Sequence, residues 1–215
     1  MVKFSFEQLV SILNIEMMII DIDLLIAWGA TYKEVSKGAI IFKEGQNCSF
    51  YHQLVSGSVR WVNMDDNGKE FIQKIIEPGE SFGELPLFDD GLYAATAIVD
   101  EKSVILRLHK PTFLQLLKEY PAISLSFSRM LAQRIRFNFM QLKSLAFNDP
   151  ETRISILLNY FKQENKNFCG NCNQLKLTRQ QIAGMTGLRV ETVIRSMRHM
   201  HDRGELLIDK GKVYC

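Results

Sequence analysis

The chain has 215 residues, 47% of them hydrophobic and 23% charged, with 26 Lys and Arg against 24 Asp and Glu. That is the composition of a folded globular protein of one large domain or two small ones, and it excludes a low-complexity or disordered chain. Four cysteines in this length do not make a disulfide scaffold.

The net charge of +2 is unevenly spread. Residues 148–215 hold eleven Lys and Arg against seven Asp and Glu, whereas residues 1–147 hold fifteen against seventeen. The positive field therefore lies at the C-terminal end, where a nucleic-acid-binding module needs it. The opening MVKFSFEQ lacks the basic start and apolar run of a secretory leader. Residues 17–28 are apolar but interrupted by Asp21 and Asp23, and are too short to span a bilayer. A cytoplasmic protein with no membrane partner is expected.

Residues 1–30 are expected to be helical and packed on the first domain. From Tyr32 the texture changes to short β-prone runs separated by glycines: 39–42, 50–55, 58–64, 71–76, 94–99 and 104–108. Asp65-Asp66-Asn67-Gly68 is a hairpin turn signal. Short strands at regular spacing predict a sandwich, jelly roll or barrel.

After Lys110 the period becomes helical. Pro111 suits a first turn, and Phe113, Leu116 and Leu117 come after it at helical spacing. A second, longer helix is expected from Pro121 to about Phe147. Within it Leu131, Ile135, Asn138, Leu142 and Leu145 are spaced four, three, four, three, the seam of a helix packed on a parallel copy of itself. The same stripe could instead pack on its own β domain, and Asn138 could set register or face a ligand. Asn148-Asp149-Pro150 reads as a hinge, with Asp149 capping the next helix and Pro150 in its first turn.

The most informative stretch is 177–205. Thr178 and Gln181 form a capping box, Ile182, Ala183 and Met185 give a short apolar face, and Gly187 breaks the helix. Val190, Val193, Met197 and Met200 recur every three or four residues beyond it. Two short helices across a glycine turn make a helix-turn-helix. Leu206-Leu207-Ile208 and Val213-Tyr214 about Asp209–Lys212 form a hairpin, a wing. The outer face of the second helix is expected to carry Arg189, Glu191, Thr192, Arg195, Ser196, Arg198 and His199, with Glu191 and Arg195 one turn apart. Arg suits the guanine edge, and a carboxylate can accept from cytosine N4. The plain alternative is a solvated helix with one Glu191–Arg195 ion pair. The expected organisation is α+β. A sensor domain at 1–147, an N-terminal β-roll of the double-stranded β-helix or jelly-roll type, includes a dimerisation helix at about 121–147. A winged helix-turn-helix domain occupies 148–215.

In this order, the roll, the long helix and the winged helix-turn-helix resemble the Crp/Fnr family of bacterial transcription regulators. The resemblance rests on Gly45, Gly57, Gly68 and Gly79, the run Phe-Gly-Glu-Leu-Pro-Leu-Phe at 82–88, Leu145-Ala146-Phe147, and 177–195. It covers essentially the whole chain. It implies a homodimer on a pseudo-palindromic operator in double-stranded DNA, with RNA polymerase as a further partner if the protein activates. Glu191 and Arg195 match the family's base-reading positions. Val190 and Ile194 stand where the cyclic-AMP and Fnr-like members have Arg and Ser. Thr178, Arg179, Arg189, Arg198, Lys210 and Lys212 are candidates for phosphate contacts, which position a protein without specifying sequence.

The resemblance also implies an effector pocket at Gly83, Glu84, Ala94, Ala95 and, on the long helix, Asn138. In the cyclic-nucleotide-binding members the Gly-Glu pair meets the ribose, and an Arg-Ser pair eleven residues on holds the phosphate. Here that pair is Ala94-Ala95. An anion buried without a cation or a hydrogen bond is strongly disfavoured. An effector other than cyclic AMP, or none, is expected, with Gly83-Glu84 shaping a turn.

The iron–sulfur members carry an N-terminal cysteine cluster, and no cysteine precedes Cys48. Cys169 and Cys172 have metal-ligand spacing, but a structural zinc needs four ligands and only Cys215, His199 and His201 could complete the set. An ordinary hairpin loop is the expectation, with no metal and no cofactor. His52 and His109 do not make a cupin metal site, and no phosphate-cradling glycine loop or catalytic set is present, so no enzyme is expected. The alternative is a ligand-binding regulator whose C-terminal domain contacts protein rather than DNA.

Overall fold

A computed structural model of the chain describes residues 20–164 and 166–215. The expected N-terminal helical region lies outside the described residues except for α1, Ile22–Ala27, whose N-cap Asp21 accepts from the backbone of Asp23 and Leu24. The chain falls into two compact units. One runs up to Asp65 and resumes over Gln73–Ala132; the other joins Asp66–Ile72 to Gln133–Cys215. The sequence divides the chain at 147, but the C-terminal half of the long helix packs with the helix that comes after it. Phe137 lies 4.5 Å from Tyr160, ring to ring.

The first unit is built on a six-stranded antiparallel sheet. Its strands are β1 (Thr31–Val35), β2 (Ile40–Phe42), β3 (Phe50–Met64), β4 (Glu70–Ile76), β5 (Ser81–Phe82) and β6 (Thr96–His109). The path is β1-β6-β3-β4, with β2 also paired to β6 and β5 to β3. Short helix α2 (Leu85–Asp89) and helix α3 (Lys110–Glu119) complete the unit, together with the start of α4 (Pro121–Phe147).

Two pairs of expected strands are continuous. The runs 50–55 and 58–64 are one strand, β3, and the runs 94–99 and 104–108 fall largely within another, β6. Gly57 is a bulge inside β3, not a turn between strands. Leu54 faces the roll interior, and so do Val59 and Trp61, so the inward face changes parity across the bulge. Gly57 adopts φ 92°, and a Cβ there would overlap the Ser103 hydroxyl and lie 2.7 Å from Ser103 Cα. Only glycine lets the two long strands approach so closely.

The roll interior collects Val35, Phe42, Leu54, Val59, Trp61, Ile76, Phe82, Tyr93, Ala97, Val99 and Ile105. The opposite face of β3 and β6 buries Tyr51, Leu106 and Leu108 against Leu25, Phe113, Leu116 and Phe127. Tyr51 stacks on Phe113 at 4.7 Å.

His52 is buried between the Phe42 and Phe82 rings, 5.5 Å from each, and its Nδ1 has no hydrogen-bond partner among the described residues. Burial, reinforced by the Arg107 and Lys33 charges, lowers its pKa to about 3. The unfolded chain therefore binds a proton that the folded one refuses. The neutral-histidine contribution is complete above pH 6.5 and is lost as pH falls toward 3, at about 1.4 kcal/mol per pH unit. Urea unfolding across that window should show the slope in the native protein, and His52→Phe should flatten it. An unchanged slope would place the acid sensitivity elsewhere.

In the second unit α4 leads into α5 (Pro150–Gln163), α6 (Arg179–Thr186), α7 (Val190–Asp202) and the hairpin β7 (Leu207–Asp209) with β8 (Lys212–Tyr214). Asp149 caps α5 through Glu151 and Thr152, with Pro150 in the first turn. The 148–150 segment is not a loose hinge. Asn148 N–H still donates to Ser144 O at 3.1 Å, and the Arg153 guanidinium donates to Leu145 O at 3.0 Å and to Asn148 O at 2.9 Å. These bonds close off the C-terminal carbonyls of α4, which a helix end otherwise leaves open.

Candidate nucleic-acid interface

Thr178 and Gln181 form the expected capping box at the start of α6. The Thr178 hydroxyl is thereby engaged in the cap, at 3.1 Å from Gln181 N. Gly187 ends α6 at φ 68°, and its N–H donates to Ala183 O. Arg189 is the N-cap of α7 and its side chain makes no capping bond. The inner face of α7 buries Val193, Met197 and Met200, and also Ser196, which the sequence placed outward but whose small side chain fits between the apolar ones, in a unit that also buries Ile154, Leu157, Leu158, Phe161, Ile182 and Met185. That apolar face fixes the roll of α7 about its axis, and hence which side chains point outward.

Those side chains are Glu191, Ile194, Arg195 and Arg198, all exposed, with Val190 half-buried at the first turn. The intrahelical ion pair of the plain alternative is not formed. Among the described residues neither Glu191 nor Arg195 has a hydrogen-bond or ion-pair partner. Ile194 is 46% exposed, an apolar group held out to solvent.

Arg189 is exposed and Arg179 half-buried, with burial lowering the Arg179 pKa. On the wing, Lys210 at φ 44° and Gly211 at φ 80° form a tight turn that leaves Lys210 and Lys212 exposed. Two successive positive φ values match the twist of the flanking strands.

One functional group escaped sequence reasoning. Glu151, in the first turn of α5, accepts from Arg203 at 2.7 Å and lies 3.2 Å from His199 Nδ1; Arg203 also donates to Glu205 at 2.6 Å. The Arg203 hydrogen bond holds the Glu151 carboxyl below the usual carboxylate range. The network ties the C-terminal end of α7 to α5. Its partners are about fifty residues apart, so no local spacing announces it. His201 Nδ1 lies 3.3 Å from Leu206 O, at the root of the wing. Both histidines are thus occupied away from the cysteines, and no group of three or more possible metal ligands occurs among the described residues.

On α4, Ile135, Phe139 and Leu142 are 54%, 67% and 62% exposed. Phe139 was missed because the seven-residue template chose its neighbour Asn138, which is also exposed. Leu131 is half-buried. Leu145 turns inward, close to Gly187. The exposed stripe is therefore shorter than the expected seam and includes Phe139.

In the roll, Gly83 has φ 68° and a Cβ there would overlap the Phe42 ring. Phe42 stacks on Tyr93 with centroids 3.7 Å apart and planes 8° from parallel. Glu84 is fully buried and so is Ala95, while Ala94 is exposed. The Gly83 surface is thus covered by the protein's own aromatic rings.

A roll of this topology together with a winged helix-turn-helix defines a class, the DNA-binding transcription regulators with a cyclic-nucleotide-type sensor domain. Residues 32–120 match the model of the cyclic nucleotide-binding domain, and residues 153–214 that of the Crp-like helix-turn-helix domain. The chain is 33% identical over 183 residues to the cAMP-activated global transcriptional regulator CRP of Pasteurella multocida, covering 84% of this chain and 87% of the relative. It is 27% identical to the cyclic AMP receptor protein of Thermus thermophilus, covering 82% and 80%. Among solved structures, the c-di-GMP responsive regulator CLP of Xanthomonas campestris superposes with a TM-score of 0.73 at 20% identity, covering 89% of this chain and 98% of that one. FixK2 of Bradyrhizobium japonicum does so with 0.73 at 18%, covering 86% and 91%. The chain belongs to the Crp/Fnr family and is a DNA-binding transcription regulator. Among the described residues no helix is long and apolar enough to cross a membrane.

Proposed function

We propose that the protein acts as a homodimer on a two-fold-related DNA site, reads base edges through Glu191, Arg195 and the flanking Val190 and Ile194, and does not respond to cyclic AMP. The observation that carries the reading is the α7 face, where Glu191 and Arg195 stand one turn apart without partners among the described residues while the opposite side of the helix is locked in the core. Each α7 enters a major groove, with half-sites about one helical turn apart. Arg179, Arg189, Arg198, Lys210 and Lys212 supply phosphate contacts, whereas the Thr178 hydroxyl is spent on its own cap with Gln181. The Ile135–Phe139–Leu142 stripe brings two copies together.

Two named relatives are described by their response to cyclic AMP. This roll differs where such a ligand would sit. Ala94-Ala95 offers no cation for a phosphate, and the Phe42–Tyr93 stack lies against Gly83. The test is fluorescence anisotropy with a labelled operator duplex, repeated across salt and with cyclic AMP raised through the micromolar range. Affinity should fall steeply and log-linearly with salt and should not change with cyclic AMP. A saturable tightening by cyclic AMP overturns the effector reading. Affinity indifferent to salt overturns the DNA-contact reading in favour of a protein partner.

A further inference from the structure

The DNA-binding face leaves Cys169 and Cys172 unused. They sit in the turn between Phe168 and Leu175, which pair across it. Cys169 N–H donates to Gln174 O at 2.8 Å and Asn173 N–H donates to Cys169 O at 3.0 Å, so the turn is closed from both sides. The closed turn brings Cys169 and Cys172, three residues apart, onto one tight loop. The neighbouring Cys172 thiol and the backbone at Asn171 and Cys172 lower the Cys169 pKa and so favour its thiolate. All four cysteines are free thiols; Cys172 is exposed and Cys169 half-exposed.

We propose that Cys169 and Cys172 form a reversible dithiol–disulfide site that reacts with low-molecular-weight disulfides. The Cys169 thiolate attacks one sulfur of the external disulfide and releases one thiolate, leaving a mixed disulfide on Cys169. Cys172, losing its proton to solvent, then attacks the Cys169 sulfur and releases the second. The protein gives up two electrons, and the external disulfide is reduced to two thiols. The same donors that hold the Cys169 thiol below the ordinary range favour the first attack. Cys215 is the poorer nucleophile, since burial pushes its thiol up. The site lies beside the wing. Leu175 N–H donates to Val213 O at 2.8 Å, Cys215 N–H donates to Asn173 O at 3.3 Å, and Gln174 pairs with Tyr214. A bond closed there stiffens the 173–175 segment against which β8 rests.

The test uses the whole reduced protein in mixtures of reduced and oxidised glutathione, acid-quenched, alkylated with iodoacetamide and digested with trypsin. Cleavage after Lys166 and Lys176 puts both cysteines on one peptide. As oxidised glutathione rises, the doubly alkylated peptide should give way to one two hydrogens lighter than the dithiol. The Cys48 and Cys215 peptides should stay alkylated, and dithiothreitol should restore the original. Cys172→Ser should stall as a glutathione adduct on Cys169. A peptide that stays doubly alkylated in excess oxidised glutathione overturns the proposal, as does a Cys172–Cys215 link or a separate glutathione on each cysteine. The native protein alone decides the matter if the variant fails to fold.

Discussion

Replacing Phe139 and Leu142 together by glutamate is expected to leave the protein monomeric at micromolar concentration and to lower its operator affinity by about 100-fold or more. Ile135, Phe139 and Leu142 fall at i, i+4 and i+7, on one face of α4, and each is more than half exposed. Three such side chains in a row form an apolar patch that only a second surface can cover. Across a two-fold axis the double substitution sets four carboxylates against one another, each losing several kcal/mol of hydration without a counter-charge. A single reading head then binds alone, and the gain from linking two half-sites is lost. Sedimentation velocity gives the oligomeric state, and anisotropy the affinity. The substituted side chains are on the surface, so the circular dichroism spectrum should be unchanged. A variant that still sediments as a dimer would remove this stripe as the seam.

The second large effect is expected at Arg195. Arg195→Ala should weaken specific binding by about 1–3 kcal/mol per half-site and relax the preference at one base pair. The side chain is exposed, its helix is held by Val193, Met197 and Met200 on the other side, and no ion pair has to be broken to free it. The change therefore removes a contact without unsettling the fold. Lys210→Ala, at the tip of the wing turn, should behave differently, weakening all sequences alike and reducing the salt slope by about one. Selection of preferred sites from a random library, compared among the three proteins, separates the two. If Arg195→Ala lowers every sequence equally, Arg195 meets a phosphate.

What the sequence made legible is what short-range physics determines. The capping box at Thr178, the Asp149-Pro150 helix start and the Gly187 turn each depend on residues three or four apart, and each was readable. Strand β1 escaped the pattern because Thr31-Tyr32-Lys33-Glu34 is exposed and only Val35 is buried, so no alternation marks it. The unity of β3 was hidden because a glycine within a strand and a glycine between strands look alike until Ser103 is known to lie across from it. In the candidate site, the outward residues of α7 came from the helical period, apart from Ser196, which turns inward, whereas the Glu151–Arg203 network joins residues 52 apart and the Phe42 cover over Gly83 joins strand β2 to the segment after β5. The redundancy between a 3.5 and a 3.6 period over a few turns is also why Phe139 lost its place to Asn138.

The Arg153 bonds at the α4–α5 junction have a mechanical consequence. One guanidinium grips two carbonyls of the preceding helix end, and hydrogen bonds from a charged donor contribute about 1.5–3 kcal/mol each. Letting the junction swivel means losing both, about 3–6 kcal/mol in all, so torsion applied to the last turn of α4 is delivered to α5 instead of being absorbed. The Glu151 bridge then passes it to the far end of α7. The joint behaves as a crank, with α7 as its handle.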